Sequence, residues 1–253
     1  MVRIFLRFYE ELNDFLPEQW KKTEFTSVVS GSCSVKTVIE SLGVPHTEVD
    51  LILVNHESVD FSYCVQPDDH ISVYPVFEAF DIRSVGRLRP KPLRETRFVL
   101  DVHLGKLAVY LRFSGFDTLY RPDYDDNTLA QISCEEHRIL LTRDRELLKR
   151  RIITHGYCVR ATHPPYQLRE VFTRFHLSLP VPFVPRCTKC NAVPQPVVKS
   201  EVFEQLPPLT REHFEEFFYC AACDLFYWKG SHYQRMRALL QAAGTPEIAL
   251  DSF

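Results

Sequence analysis

Four cysteines stand in two pairs of equal spacing, Arg186-Cys187-Thr188-Lys189-Cys190 and Tyr219-Cys220-Ala221-Ala222-Cys223. A C-x-x-C pair on a tight turn presents two thiolates to one ion, and two such pairs complete the tetrahedral shell that zinc prefers. With sulfur at all four positions no place is left for water, so the expected zinc is structural, one per chain. The competing reading, a pair of disulfides, suits an oxidising compartment and not a reducing cytosol. The span between Asn191 and Tyr219 has room for two strands and a loop. Cys33, Cys64, Cys134 and Cys158 have no partner at ligand spacing and are expected to be plain buried thiols.

A second constellation is made of acids. Asp101 closes the run Phe98-Val99-Leu100, Asp117 and the cluster Asp123, Asp125 and Asp126 lie in and after the next apolar run, and Asp144 closes Leu140-Leu141-Thr142-Arg143. In a parallel sheet, chemistry collects at the carboxyl ends of strands. Acids gathered there repel one another unless a divalent cation neutralises them, and hard oxygen ligands favour magnesium or manganese over zinc. Such a site suits phosphodiester hydrolysis. Helix capping explains any one of these acids as well, Asp125 above all, and Asp126 or Asp144 in turn. It does not explain acids at three strand ends. Asp117 fits inside a strand as well as in a site, Glu135 or Glu136 fits a cleft or a solvated helix end, and Arg143 fits an acid pair or a bound phosphate.

The elements that must hold these residues fall into two patterns. Up to residue 82, Val2, Ile4, Leu6 and Phe8 alternate with arginines as in a half-buried strand, and Phe25–Val29 is a second. Ser34 caps a helix with Val35, Val38, Ile39 and Leu42 on one face and Gly43 at its end. Strands at Asp50–Val54, leading into the polar turn Asn55-His56-Glu57, and at Ile71–Val76 complete an order β-β-α-β-β, that of ubiquitin. From Arg97 strands alternate with helices, the signature of a covered parallel sheet. Strands are expected at 98–100, 116–120, 138–142 and 157–159, with helices at 104–111, after Asp126, at 145–151, 166–175 and 233–243.

Charge divides the chain at the same place. Up to Ile82 five cations, Arg3, Arg7, Lys21, Lys22 and Lys36, face fourteen carboxylates, whereas the remainder has an excess of positive charge within a net charge of -3. Between them Arg83, Arg87, Arg89, Lys91, Arg94 and Arg97 accompany Pro90 and Pro92. That strip is either a solvated linker or a phosphate-binding surface, with Arg87, Arg89 and Lys91 as its candidate RNA contacts. At 45% hydrophobic residues the chain has material for real cores, which excludes wholesale disorder. Arginines and glutamates break up the N-terminal apolar residues, and no run approaches a membrane span, so a soluble cytoplasmic protein is expected.

Particular segments carry a resemblance. F-V-L-D-V-H-L-G-K-L-A at 98–108, G-F-D-T at 115–118, D-D-N-T-L at 125–129 and R-I-L-L-T-R-D at 138–144 resemble the PIN-like RNase domain of the Mut-seven C-terminal RNase family. R-C-x-x-C-N at 186–191 and Y-W-K-G-S-H at 227–232 resemble its zinc ribbon. V-N-H-E-S-V-D-F-S-Y and P-V-F-E-A-F-D-I resemble the ubiquitin-like domain fused to such RNases in bacteria. The layout implied is an α+β ubiquitin-like β-grasp domain over 1–82, a basic linker over 83–96, an α/β PIN-like core over 97–184, a zinc ribbon over 185–230, and a C-terminal helix and tail over 231–253.

The resemblance implies a Mg2+- or Mn2+-dependent ribonuclease in which Asp101, Asp126 and Asp144, with Asp125 beside them, hold the catalytic ion. Sulfur carriers related to the first domain end in a free Gly-Gly, but here the exit reads Glu78-Ala79-Phe80-Asp81 and the chain continues. A docking module for a protein partner is therefore expected. RNA would be held by the linker, Arg143 and the ribbon's Arg186, Lys189 and Lys199. The competing reading is a non-catalytic RNA or ribonucleoprotein adaptor in which Tyr227 and Trp228 stack on bases, against a plain packing role for those rings. His232 fits a hydrogen-bonding helix start or a site.

Overall fold

The computed structural model describes residues 1–31, 33–75, 96–180 and 183–243. The chain forms two compact units, one from residues 1–95 and 126–158, the other from 96–125 and 159–253.

In the first unit, β1 (Val2–Phe8) buries Ile4, Leu6 and Phe8 as its alternation requires. It pairs antiparallel with β2 (Phe25–Val29). Helix α1 (Val35–Ser41) follows, its first turn capped by Ser34 Oγ accepting from the Thr37 amide at 3.2 Å. Strands β3 (Val49–Val54), β4 (Glu57–Val59) and β5 (His70–Pro75) complete a mixed sheet of order β2-β1-β5-β3-β4, with β1 and β5 parallel. This is the ubiquitin-like arrangement, with one more strand than the expected order. The polar turn closes a hairpin: Asn55 and His56 both adopt positive φ, 50° and 74°, the backbone that a two-residue hairpin loop needs, so Glu57 starts β4. Strand β5 ends at Pro75, and Glu78-Ala79-Phe80-Asp81 lie outside the described residues.

The same unit contains α3 (Asp126–Glu135), β8 (Ile139–Thr142), α4 (Arg145–Leu148) and β9 (Gly156–Cys158). Two buried side chains join this segment to the β-grasp portion. His46, 7% exposed, places Nδ1 2.7 Å from Glu40 Oε1 and Nε2 2.8 Å from the Ile153 carbonyl. Glu48, fully buried, accepts a hydrogen bond from the Cys158 amide at 2.6 Å. Arg145 lies over the Phe15 ring, 4.8 Å from its centroid.

In the second unit, β6 (Phe98–Leu100), α2 (Gly105–Phe113) and β7 (Thr118–Leu119) form a strand-helix-strand unit, and α5 (Pro164–Arg174) packs on α2. Leu107, Ala108 and Leu111 of α2 and Leu168 and Val171 of α5 have no exposure. Strands β6 and β7 run parallel, as do β8 and β9, so the part of the chain after residue 97 is a parallel-sheet α/β domain. The strand expected at 116–120 is reduced to two residues, and just before it the Asp117 carbonyl accepts from the Phe98 amide while its carboxylate accepts from Asn191 Nδ2.

A three-stranded antiparallel sheet of β10 (Gln195–Val197), β11 (Phe217–Cys220) and β12 (Leu225–Tyr227) carries the second knuckle. The segment between the knuckles holds β10 and most of β11, and the connection between these two strands includes two short helices, α6 (Lys199–Val202) and α7 (Pro208–His213). Pro207 and Pro208 preset the first turn of α7, and Val202 and Leu206 need cover for Phe217, which they bury together. Helix α8 (Ser231–Ala242) follows. No described helix is long and apolar enough to cross a membrane.

Candidate functional site

The first knuckle closes through three backbone bonds. Cys187 N donates to the Ala192 carbonyl at 2.7 Å, Asn191 N to the Cys187 carbonyl at 2.9 Å, and Cys190 N to Cys187 Sγ at 3.4 Å. In the second, Cys223 N donates to the Cys220 carbonyl at 3.2 Å, where the hairpin of β11 and β12 turns. Each knuckle ends in a left-handed residue, Asn191 at φ 74° and Asp224 at φ 52°. Asn and Asp enter that conformation more easily than other side chains. The C-x-x-C-N and C-x-x-C-D patterns hold this signal, which the spacing of cysteines alone does not show.

The four sulfurs lie within 4.8 Å of one another, an arrangement able to hold a metal ion. Cys187 and Cys223 Sγ are 3.8 Å apart, Cys190 and Cys220 Sγ 3.4 Å. Burial pushes the Cys187 thiol up, but the Tyr227 hydroxyl, 3.0 Å away, and the knuckle amides outweigh it and hold the group at about 6. Cys223 is pushed up to about 12, chiefly by its hydrogen bond with Cys190 and then by burial. The two thiols are displaced in opposite directions, as expected where acidic groups share a small volume.

The first knuckle is tied to the α/β part of its unit. Asn191 Oδ1 accepts from the Thr118 amide and its Nδ2 donates to Asp117 Oδ1, both at 2.8 Å. Arg112, 4% exposed, donates to the carbonyls of Thr118 at 2.8 Å, of Thr188 and Lys189 at 3.0 Å, and of Tyr120 at 3.3 Å. Burial pulls its guanidinium down and the neighbouring sulfurs and Asp117 act against this. Arg186 donates to the carbonyls of Gly115 and Asn191, and Lys199 pairs with Glu215 at 2.7 Å, so of the ribbon cations expected on RNA these two already have protein partners. Lys189 is exposed. Asp117 thus sits beside β7 and the first knuckle, and Arg112 joins it as a buried residue whose signal in the sequence is an arginine within an apolar helical stripe.

The acids have separate settings. Asp101 follows β6, is 6% exposed, and begins the turn Val102–Leu104 through its carbonyl, which accepts from Leu104 N at 2.9 Å; its carboxylate makes no cap to that turn. Beside it Gly105 is required by close approach: a Cβ there would stand 2.7 Å from the Tyr120 hydroxyl, which donates to the Val102 carbonyl. Asp126 is the exposed first residue of α3, paired with Arg150 at 3.2 Å. Asp144 caps α4, its Oδ1 accepting from Glu146 N at 2.8 Å and Leu147 N at 3.4 Å. Asp125 and Arg143 are exposed. Asp101 belongs to the second unit and Asp126 and Asp144 to the first.

Asp123 pairs with Arg121 at 2.7 Å, a hydrogen bond that holds its carboxyl below the usual range. Glu136 pairs with Arg138 at 2.8 Å, and Glu135 is an exposed helix end. Of the four lone cysteines only Cys158 is buried; Cys64 and Cys134 are exposed and Cys33 is half-buried, because apolar cysteine is tolerated at the surface where no core position calls for it. Tyr227 is half-buried against Cys187, Trp228 packs beside Phe217, and His232 is exposed in the first turn of α8. Arg87, Arg89 and Lys91 lie outside the described residues.

With fold and cluster described, family relationships follow. Residues 96–240 match the Mut7-C RNAse domain, and residues 1–81 match the Mut7-C ubiquitin domain. The first match spans more than half of the chain, which belongs to the Mut7-C RNAse domain family and carries the family's ubiquitin-like domain in front. No curated protein and no solved structure matches the chain. A ribonuclease domain, a ubiquitin-like domain and a four-cysteine centre able to hold a metal are thereby established together.

Proposed function

We propose that the protein is a cytoplasmic ribonuclease that hydrolyses RNA phosphodiester bonds with Mg2+ or Mn2+, and that its cysteine cluster holds one structural zinc. The observation that carries this is the RNAse-domain match over 96–240, a span containing Asp101, Asp126 and Asp144. These three carboxylates would hold the divalent ion, with Asp125 beside them, and the ion when bound would activate water and stabilise the leaving oxygen. Asp101 supplies a nearly buried carboxylate that does not cap the turn it begins. Asp144 is oriented by its two capping bonds, which engage Oδ1 and none of which, among the described residues, engages Oδ2. Arg150 holds Asp126 through an ion pair at 3.2 Å.

For the cysteine centre the donor chemistry favours zinc. Zinc–sulfur bonds of about 2.3 Å place tetrahedral sulfurs about 3.8 Å apart, close to the 3.8 Å and 3.4 Å separations found. The layout proposed is β-grasp domain to residue 82, basic linker to 96, PIN-like core to 184, ribbon to 230, then helix and tail. RNA would bind along Arg87, Arg89, Lys91 and Arg143, and the acidic ubiquitin-like domain would meet a protein partner.

A non-catalytic RNA-binding adaptor is the second reading, and the capping bonds of Asp144 favour it, because they give that acid a structural role. The deciding experiment measures cleavage of single-stranded RNA with and without magnesium or manganese. The expected result is metal-dependent cleavage that Asp144→Asn abolishes, with zinc content and melting unchanged, since asparagine caps almost as well as aspartate. Activity surviving in that variant removes Asp144 from the site, and no cleavage by the parent chain with any divalent ion leaves the adaptor.

A further inference from the structure

We propose that a cavity of about 420 Å3 in the second unit, walled by Phe113 of α2, Phe218 of β11, Trp228, and Tyr233 of α8, is a subsite for one unpaired nucleobase of single-stranded RNA. The inference rests on the reading of RNA as substrate and adds where in the second unit, and by what chemistry, a base is held.

The volume lies in the range of small-ligand sites, roughly 300–1,000 Å3, which are mostly apolar with a few polar groups at the edge. Its walls are aromatic, and every base offers a π-face to such rings whatever its identity. The rings are preorganised. A Cβ on Gly230 would stand 2.6 Å from Trp228 Nε1, so the bare glycine lets the indole lie against the backbone and fixes its plane. Phe113 and Tyr233 meet edge to face with centroids 5.4 Å apart.

The edge distinguishes a nucleotide from an apolar peptide. Arg186, Lys229 and His232 are among its lining residues, and among the described residues lining the cavity there is no Asp or Glu. Lys229 pairs with Glu216 at 2.7 Å, the two side chains 34% and 55% exposed. Exposed pairs of this kind contribute little to stability, so little is lost if the lysine turns to a phosphate instead. A base in the cavity would therefore have the next phosphate within reach of a cation.

The test uses the full chain with Trp20→Phe, which leaves Trp228 as the single indole. A short single-stranded oligoribonucleotide is titrated at several salt concentrations without added magnesium or manganese, following polarisation of the labelled RNA and Trp228 emission together. Quenching of Trp228 with the midpoint seen by polarisation is expected. Phe218→Leu and Tyr233→Leu should weaken binding at least about fivefold, the lower end of one base stack. Their salt slope should be that of the parent, because no phosphate contact is lost. Phe218→Tyr and Tyr233→Phe should bind as the parent does.

RNA bound by polarisation with unchanged Trp228 emission overturns the subsite and leaves the ribonuclease reading standing. Leucine variants that retain zinc and bind RNA as tightly as the parent overturn it too. RNA that does not bind at all removes both, and quenching by an apolar peptide but not by RNA assigns the cavity to a protein.

Discussion

The cysteine centre and the acids proposed to hold a catalytic ion differ in how far the local chain accounts for their residues. The four sulfurs come from two turns of one unit, and each turn assembles its own pair through local backbone bonds, so that only two pieces must meet. The acids come from separate segments of the chain, each with its own local duty: Asp144 caps a helix, Asp126 starts a helix and pairs with Arg150, and Asp101 starts a turn. Spacing in sequence therefore specifies the first site and is silent about the second.

The largest expected effect separates the two directly. Cys190→Ser should reduce zinc from about one per chain toward none and unfold the second unit, because structural zinc in such peptides contributes about 10–16 kcal/mol at neutral pH. Metal analysis and circular dichroism check this; normal melting without zinc would make the centre dispensable. Asp101→Asn should do the opposite, lowering cleavage by at least about a hundredfold, the several kcal/mol a bound ion supplies, with zinc and melting unchanged. A stability loss as large as the activity loss would return Asp101 to a structural role.

A smaller effect tests how far the metal turn is tied to its surroundings. Asn191→Gly keeps the left-handed backbone but removes the bonds to Thr118 and Asp117, and should cost about 1–3 kcal/mol in denaturant unfolding while zinc remains. If stability is unchanged, the knuckle and β7 are independent. The smallest effect concerns the basic strip. Arg87, Arg89 and Lys91 changed together to Ala should weaken RNA binding at low salt and reduce the salt slope by about 2, three single-strand phosphate contacts. Identical slopes for triple variant and parent would assign the positive charge of the second half to another surface.

Periodicity made the β-grasp order and the parallel α/β pattern readable, since burial of one face in β1 or α2 leaves a repeat in the chain. It missed β4, because three residues are too few to show alternation. The span between the knuckles has the two strands its length allows, β10 and β11, but the helices α6 and α7 between them are unmarked in the sequence, because helices that cover a single Phe217 need only Val202 and Leu206 and leave no periodic stripe. The cysteine ligands were legible as spacing. Arg112 was not, since a buried guanidinium satisfied by four backbone carbonyls depends on where a distant loop passes. Glu48 was hidden for the same reason, its partner being an amide 110 residues away.

That last contact sets a clock for synthesis. The first unit is discontinuous, so the buried carboxylate of Glu48 and the imidazole of His46 wait for Cys158 and Ile153 to leave the ribosome. At about 5–20 residues per second the delay after residue 82 is on the order of 4–15 seconds. During it the Glu48 carboxylate has water where the Cys158 amide will be, and the contacts that bury these two side chains form only when a strand of the second half of the chain has been made.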